Sequence, residues 1–147
     1  MDDFAYQIKI PKDRIAVLIG KKGETKRALE GSLKVNLEID SHEGDVNISG
    51  KDALDLYATR EIIRAIGRGF NPEIAMLLLK QDYAFEILTL PETDKKNQMT
   101  RVKGRIIGTD GKTRRIIEET TECYLCVYGK TTYSKTKTNL GRFGYVV

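Results

Sequence analysis

The stretch Leu18-Ile19-Gly20-Lys21-Lys22-Gly23-Glu24-Thr25-Lys26-Arg27 decides the fold, because it returns 88 positions later as Ile106-Ile107-Gly108-Thr109-Asp110-Gly111-Lys112-Thr113-Arg114-Arg115. Each copy consists of an apolar pair, a Gly-x-x-Gly turn and the polar, basic start of a helix. Because glycine has no Cβ atom, a nucleic-acid backbone can approach such a turn closely, and helix amides and nearby cations then face its phosphates. The repeat therefore predicts two related modules that bind RNA.

The length and composition are typical of a globular protein with two small domains. The 147 residues are 40% hydrophobic and 31% charged, as in soluble folded chains, and the internal repeat favours two domains over one. We expect the first domain, with a connecting helix, at residues 1–80 and the second at residues 81–147. The longest apolar stretch, 74–79, is far shorter than the roughly 20 residues of a membrane-spanning helix, and the acidic start is unlike a signal peptide. A cytoplasmic location is the resulting expectation.

The net charge of +4 comes from the second half of the chain. Residues 1–80 contain 13 basic and 13 acidic side chains, whereas residues 81–147 contain 12 basic and 8 acidic ones. From Lys95 to Lys112, six basic residues accompany one acid, Asp110. Such a run indicates a surface for a polyanion. The alternative is a solvated surface that binds nothing, and it is disfavoured here because the run coincides with a glycine turn.

Hydrophobic periodicity predicts the elements of the first half. In chain order they are a strand at 5–10, a helix at 13–19, a helix at 24–33, a strand at 35–40, a turn at 42–45, a strand at 46–49 and a helix at 51–67. On the last helix, one buried side is expected, formed by Leu54, Ala58, Ile62, Ala65 and Ile66. Asn71-Pro72 then predicts the start of another helix, since asparagine is a favoured cap and proline a favoured first helical residue.

The second half repeats this order as far as residue 131. The predicted elements are a strand at 83–90 that stops at Pro91, a short helix toward Ile107, a helix from Lys112 to about 121 and a strand at 123–128. Residues 132–139 show no strand alternation, and no amphipathic final helix follows. The pattern after residue 131 is therefore atypical.

This order, with a basic glycine turn between the first two helices, resembles the KH domain of type I. The implied fold class is α+β, with two tandem type I KH domains of strand-helix-helix-strand-strand-helix order, the second apparently lacking its final helix. The second motif, with Val127-Tyr128-Gly129-Lys130-Thr131 after it, is similar to the archaeal counterpart of the eukaryotic ribosome-assembly protein Partner of Nob One, or Dim-two. This resemblance covers roughly residues 5–131.

The resemblance implies a function in ribosome assembly. It implies binding to the single-stranded 3′ region of small-subunit rRNA during pre-rRNA processing and small-subunit assembly. The implied protein partners are a Nob-type endonuclease and the alpha subunit of archaeal initiation factor two. No residue pattern in the sequence suggests a cofactor.

The candidate RNA-binding residues are the two turns and the polar residues beside them. They are Gly20, Lys21, Lys22, Gly23, Lys26 and Arg27 in the first copy, and Arg105, Ile107, Gly108, Thr109, Asp110, Gly111, Lys112, Arg114 and Arg115 in the second. Glycines let the RNA backbone approach, and the cations neutralise phosphates. Bases would turn toward an apolar groove, for which the candidates are Ile15, Ile19 and Leu29, then Ile107, Ile117 and Leu125. Each of these six is also open to interpretation as a core residue.

Other chemistry has weaker signals. Cys123 and Cys126 form a Cys-x-x-Cys, but residues three apart on a strand point to opposite faces, and one pair cannot complete a tetrahedral zinc site. Gly111-Lys112-Thr113 ends like a Walker phosphate loop, but Ile106 stands where that loop has glycine. The only histidine, His42, falls in the predicted turn, so a histidine-based triad is excluded. We expect neither an enzyme nor a metal protein.

A protein-interaction scaffold with only generic RNA affinity is the alternative function. The balanced charge of residues 1–80 and the apolar stretch at 74–79 favour it. A third Gly-x-x-Gly, at 141–144, lacks the flanking helices and is predicted to be a turn or a disordered tail.

Overall fold

The computed structural model describes residues 3–80, 83–87, 101 and 104–126, together with the backbone of 135–136. The chain forms two compact units: unit 1 is Met1–Leu79 and unit 2 is Lys80–Val147. Among the residues so described, none of the helices is long and apolar enough to cross a membrane.

Unit 1 contains three strands and four α-helices. In chain order they are β1 (Phe4–Lys9), α1 (Lys12–Ile19), a 3-10 turn (Lys21–Gly23), α2 (Glu24–Leu33), β2 (Val35–Ile39), β3 (Asp45–Gly50), α3 (Ala53–Gly67), α4 (Pro72–Ala75) and a 3-10 turn (Met76–Leu79). The strands form one antiparallel sheet in the order β1-β3-β2. This is the predicted strand-helix-helix-strand-strand-helix order.

The core of unit 1 lies between one face of the sheet and α1, α2 and α3. Leu37 of β2 is opposite Ile48 of β3, and both side chains are buried, while their neighbours Asn36 and Asn47 are exposed. The strand alternation therefore gives the sheet one apolar and one polar face. The helices supply the other side of the core, through Leu18, Leu29, Leu56, Ile62, Ile63 and Ile66.

The structure confirms the predicted burial of Ile62, Ala65 and Ile66 on α3 and corrects that of Leu54. Leu54 is 79% exposed, whereas Leu56 and Ile63 are fully buried. Leu54 is in the first turn, and its backbone N–H donates to the Asp52 carboxylate, the N-cap, over 2.8 Å. The helix therefore begins at Ala53, and its buried stripe runs through Leu56 and Thr59 rather than through Leu54 and Ala58.

Arg14 connects α1 to the end of α3. Its Nε donates to the Ile66 carbonyl over 2.8 Å, and its Nη2 donates to the Phe70 carbonyl over 2.9 Å. The last carbonyl groups of a helix have no partner within the helix, and a cation beside them is favoured by the helix dipole. Arg14 therefore joins α1, the helix that leads into the first glycine turn, to the end of α3.

The turn between β2 and β3 is held by Asp40. Its carboxylate accepts hydrogen bonds from the backbone N–H groups of His42 over 2.9 Å and Glu43 over 3.3 Å. These backbone bonds lower the pKa of Asp40 from its ordinary value. His42 is exposed in this turn, which confirms the predicted turn.

The described part of unit 2 follows the same order. It contains β4 (Phe85–Glu86), a helical turn at 104–107, a 3-10 turn (Thr109–Gly111), α5 (Lys112–Thr121) and β5 (Lys135–Thr136). Antiparallel pairing joins Phe85 to Thr136 and Glu86 to Lys135, just as β1 pairs with β3 in unit 1. The sequence predicted no strand at residues 132–139, and β5 is a strand without an apolar alternation. The predicted strand residues 127–128 and the Gly-x-x-Gly at 141–144 lie outside the described residues.

Candidate nucleic-acid interface

The two Gly-x-x-Gly turns have the same backbone conformation. The first glycine has φ and ψ of 77° and 174° at Gly20, and 74° and 175° at Gly108. The last glycine has 75° and 17° at Gly23, and 73° and 16° at Gly111. The sequence repeat is therefore also a repeat of local geometry.

The first glycine of each turn is required by the packing of the turn. A Cβ on Gly20 would lie 2.8 Å from the backbone nitrogen of Thr25 and would also overlap the Thr25 hydroxyl. A Cβ on Gly108 would lie 2.6 Å from the backbone nitrogen of Thr113. In addition, a positive φ with ψ near 180° is a conformation that only glycine adopts readily. No other residue fits here without moving the helix that follows.

The last glycine of each turn faces open space. A Cβ on Gly23 or on Gly111 would meet no atom within 4 Å, although the left-handed φ at both positions still favours glycine. The space beside this glycine is where another molecule's backbone can approach the turn. The two glycines of one turn thus have different roles, one in packing and one in access.

The third residue of each turn is left-handed without being glycine. Lys22 has a φ of 54°, and Asp110 has a φ of 53°. Because lysine and aspartate take the same strained conformation, the flanking glycines and helices set it rather than the side chain.

The helix after each turn presents its N-terminus to the turn. The caps of α2 and α5 are Gly23 and Gly111, and neither helix has a side-chain hydrogen bond at its cap. The N–H of the first helical residue, Glu24 or Lys112, donates to the turn carbonyl of Lys21 or Thr109. The next N–H groups lack partners within the helix and carry the positive end of its dipole. They are therefore placed to donate to a phosphate beside the turn.

Unit 1 places the predicted cations around its turn. The side chains of Lys21, Lys22 and Arg27 are exposed. Lys26 is half-buried, and its Nζ lies 3.7 Å from the Glu30 carboxylate. Three of the four cations therefore point into solvent near Gly23, while the fourth is paired along α2.

In unit 2, two of the predicted cations contact acceptors within the same unit. Arg115 donates from Nη2 to the Asp110 carbonyl over 2.9 Å, and Arg114 lies 3.6 Å from the Glu118 carboxylate. Arg105 and Lys112 are exposed. Arg115 thus supports the shape of the turn as well as its charge. Thr109, like Asp110, is exposed on the turn, and Ile107 before it is half-buried.

The two turns exchange one pair of charges. Lys22 of the first turn corresponds to Asp110 of the second, and Glu24, the first residue of α2, corresponds to Lys112, the first residue of α5. The corresponding segments 17–27 and 105–115 each contain four basic residues and one acidic residue. The local charge is the same, but the cation is at the tip of one turn and at the helix start of the other.

The proposed groove residues divide into core and surface. Leu29 is fully buried, and Ile15 and Leu125 are each only 4% exposed. Ile19, Ile107 and Ile117 are half-buried. Leu29 and Ile15 are core residues, which was the alternative interpretation of these positions. Of the six candidates, only the half-buried isoleucines have side-chain surface that a base can touch.

The two cysteines are in positions typical of packing residues. Neither Cys123 nor Cys126 is in a disulfide. Cys123 is 4% exposed, and its Sγ donates to the Thr121 carbonyl over 3.2 Å. Within the residues that the structure describes, no three His, Cys, Asp or Glu side chains form a group that could hold a metal ion. Residues 123–126 belong to neither a helix nor a paired strand, so the strand predicted from 123 is not formed there.

Sequence reasoning missed two pairs of residues that the repeat itself could have identified. Thr25 and Thr113 occupy the same position, and so do Glu30 and Glu118. The threonines are the contacts that exclude a Cβ at the first glycine. The glutamates pair with Lys26 and Arg114 four residues earlier. Comparing the two copies beyond the turn would have shown both.

Comparison with known proteins places both units in one fold family. Residues 84–133 match the eukaryotic type KH domain (KH domain type I), and residues 5–65 match the KH domain. A KH domain-containing protein of Methanocaldococcus jannaschii is 49% identical over 129 residues, which are 84% of this chain and 56% of that protein. RNA-binding protein pno-1 of Caenorhabditis briggsae is 33% identical over 52% of this chain and 29% of that protein. The chain thus spans about half the length, or less, of these two relatives.

A solved structure matches almost the whole chain. The a/eIF2alpha-aDim2p-rRNA complex of Pyrococcus horikoshii contains a chain that is 42% identical, with a TM-score of 0.82. The match covers 95% of this chain and 78% of that one.

Proposed function

Because the chain belongs to the family of tandem KH proteins that includes archaeal Dim2p and the pno-1 proteins, we propose that it binds single-stranded RNA in the assembly of the small ribosomal subunit. Its RNA is the 3′ region of small-subunit rRNA. Each Gly-x-x-Gly turn holds the RNA backbone, so that about four nucleotides lie along each unit. The protein acts by binding and positions the RNA without chemistry of its own.

One observation carries this proposal: the open side of Gly23 and Gly111. A Cβ there would meet nothing, an uncapped helix start lies next to it, and exposed Lys21 and Lys112 flank it. Space, amide donors and cations together match a phosphodiester backbone, because every nucleotide of a strand carries a phosphate, whereas a protein would need a carboxylate at this one place.

The proposed partners follow from the relatives. The related archaeal chain was solved with rRNA and with a/eIF2alpha, which supports both as partners here. The Nob-type endonuclease rests on the family resemblance alone and stays a prediction.

The proposal is tested by fluorescence anisotropy with two labelled oligonucleotides, one from the 3′ end of small-subunit rRNA and one of the same composition in scrambled order. We expect tighter binding of the first, with a log–log salt slope of about −0.7 for each phosphate neutralised. Equal and weak binding of both would contradict the proposal and favour the scaffold.

A further inference from the structure

Glu118 joins α5 to the segment that follows it in unit 2. Its Oε1 accepts a hydrogen bond from the Leu125 backbone N–H over 2.8 Å. The same oxygen lies 3.6 Å from Nε of Arg114, one helical turn nearer to the glycine turn. One carboxylate oxygen therefore receives a backbone donor from one side and a guanidinium from the other.

The corresponding glutamate of unit 1 lacks the backbone contact. Glu30 pairs with Lys26 over 3.7 Å in the same i, i+4 arrangement. In the described part of unit 1, however, no backbone N–H donates to Glu30, and the corresponding Leu37 is part of the paired strand β2. The bridge at Glu118 is thus specific to unit 2 and is not a general consequence of the fold.

Glu118 is an oriented hydrogen-bond acceptor that has lone pairs left for further donors. A carboxylate offers about four lone-pair positions on two oxygens, and both contacts use Oε1. The side chain is 22% exposed, so it is partly desolvated while still reachable from solvent. Because two partners hold its rotamer, a third donor would meet a carboxylate that is already oriented.

Glu118 lies next to a residue that has side-chain surface for a base. Half-buried Ile117 precedes it on α5, and its hydrogen bond to Leu125 puts the carboxylate at the junction of α5 and segment 123–126. Arg114 lies between Glu118 and Gly111 along α5. RNA that is held at Gly111 and runs along α5 would therefore pass Arg114 before it reaches Glu118.

We propose that Glu118 is a specificity-determining residue that accepts a hydrogen bond from the exocyclic amino group of a base in unit 2. This inference rests on the RNA-binding function proposed above. Cytosine N4 and adenine N6 are donors that a carboxylate can pair with. Uracil and hypoxanthine carry a carbonyl oxygen at the same place, and that oxygen is repelled by a carboxylate. The unit selects amino-bearing bases over their carbonyl counterparts.

The test uses fluorescence anisotropy on the full chain with oligonucleotides of equal length: oligocytidine against oligouridine, and oligoadenosine against oligoinosine. We expect the wild type to prefer the amino-bearing member of at least one pair by about tenfold. Glu118→Gln should reduce that ratio to about twofold or less, since an amide offers a donor as well as an acceptor. Glu118→Asp keeps the charge but shortens the reach, and it should reduce the ratio as well.

Matched controls separate base recognition from charge and from folding. Glu119→Gln removes the same charge from the next, exposed residue of α5, and Glu30→Gln removes it from unit 1; both should keep the wild-type ratio. Thermal unfolding shows whether Glu118→Gln is folded. If it is not, the affinity ratio of Glu118→Asp tests whether Glu118 recognises the base. A ratio that is unchanged in both Glu118 variants would overturn the inference, whereas loss of all RNA binding in the wild type would overturn the proposed function instead.

Discussion

Gly20 and Gly23 are three residues apart in one turn, yet they are needed for different reasons. Gly20 has a backbone conformation that only glycine adopts readily and lacks room for a Cβ beside Thr25. Gly23 is in the ordinary left-handed region with open space around it. Gly108 and Gly111 repeat this division in unit 2.

We therefore expect Gly20→Ala to destabilise unit 1 more than Gly23→Ala. The left-handed conformation costs alanine about 1–2 kcal/mol at Gly23, and at Gly20 an overlap of about 1–3 kcal/mol is added. Thermal unfolding followed by circular dichroism measures the difference. Equal destabilisation by the two changes would show that the contact with Thr25 does not constrain the turn.

The exchange of charges between the turns gives a second prediction at this scale. Asp110→Lys should strengthen binding to single-stranded RNA, because it adds a cation where the chain now places an acid. The backbone accepts lysine there, since Lys22 has the same φ in the other turn. The log–log salt slope of binding should become steeper by about 0.7 for one further neutralised phosphate.

Lys112→Glu is the opposite change at the neighbouring helix start, and it should make the same slope shallower. If Asp110→Lys leaves both the affinity and the slope of the wild type unchanged, the tip of the second turn does not face phosphate.

At the scale of elements, α2 and α5 each end on a non-glycine residue in the left-handed conformation, which glycine would adopt with less strain. Lys34 closes α2 with a φ of 52°, and Glu122 closes α5 with a φ of 54°. Helices commonly end on a left-handed glycine, which has no Cβ penalty. Both side chains are exposed, so little packing would be lost on substitution.

Lys34→Gly should therefore stabilise unit 1 by about 0.5–1 kcal/mol, the relief of left-handed strain less the added entropy of the unfolded chain. Chemical denaturation measures this change in the free energy of unfolding. Lys34→Ala is the control, because it removes the same side chain but keeps the Cβ, and it should give no stabilisation. A destabilising Lys34→Gly would show that the lysine stem packs in a way that outweighs the strain.

Most elements of unit 1 followed from periodicity, because one-sided burial leaves a period of two in strands and of 3.6 in helices. The bounds of α2, Glu24–Leu33, agree with the prediction. The burial of Leu54 was predicted wrongly, because the sequence does not show that the first turn of α3 lies outside the core. β5 was missed because a short strand is defined by its pairing with β4, a long-range contact without a local pattern.

The candidate site was less predictable than the fold. Glycine spacing identified both turns, and residue type identified the cations. Which cations are already engaged depends on geometry: Arg115 binds the Asp110 carbonyl and Arg114 approaches Glu118. Burial also depends on the whole unit, so Leu29 and Ile15 were candidates for the groove until the structure placed them in the core.

At the scale of the molecule, two units with the same turn geometry pose the question of which one holds RNA. Gly111→Asp and Gly111→Asn are a matched pair in unit 2. Both residues tolerate the left-handed region and have room for a Cβ, but only aspartate places a negative charge where phosphate would lie. Gly23→Asp and Gly23→Asn form the corresponding pair in unit 1.

The most direct measurement is the anisotropy of a labelled oligonucleotide from the 3′ end of small-subunit rRNA, titrated with the wild type, Gly111→Asp and Gly111→Asn. We expect aspartate to weaken binding by about tenfold or more through loss of a phosphate contact and added repulsion, while asparagine stays close to the wild type. Equal affinity of all three proteins, together with no change in affinity for Gly23→Asp or Gly23→Asn, would contradict the central claim that the Gly-x-x-Gly turns hold the RNA backbone.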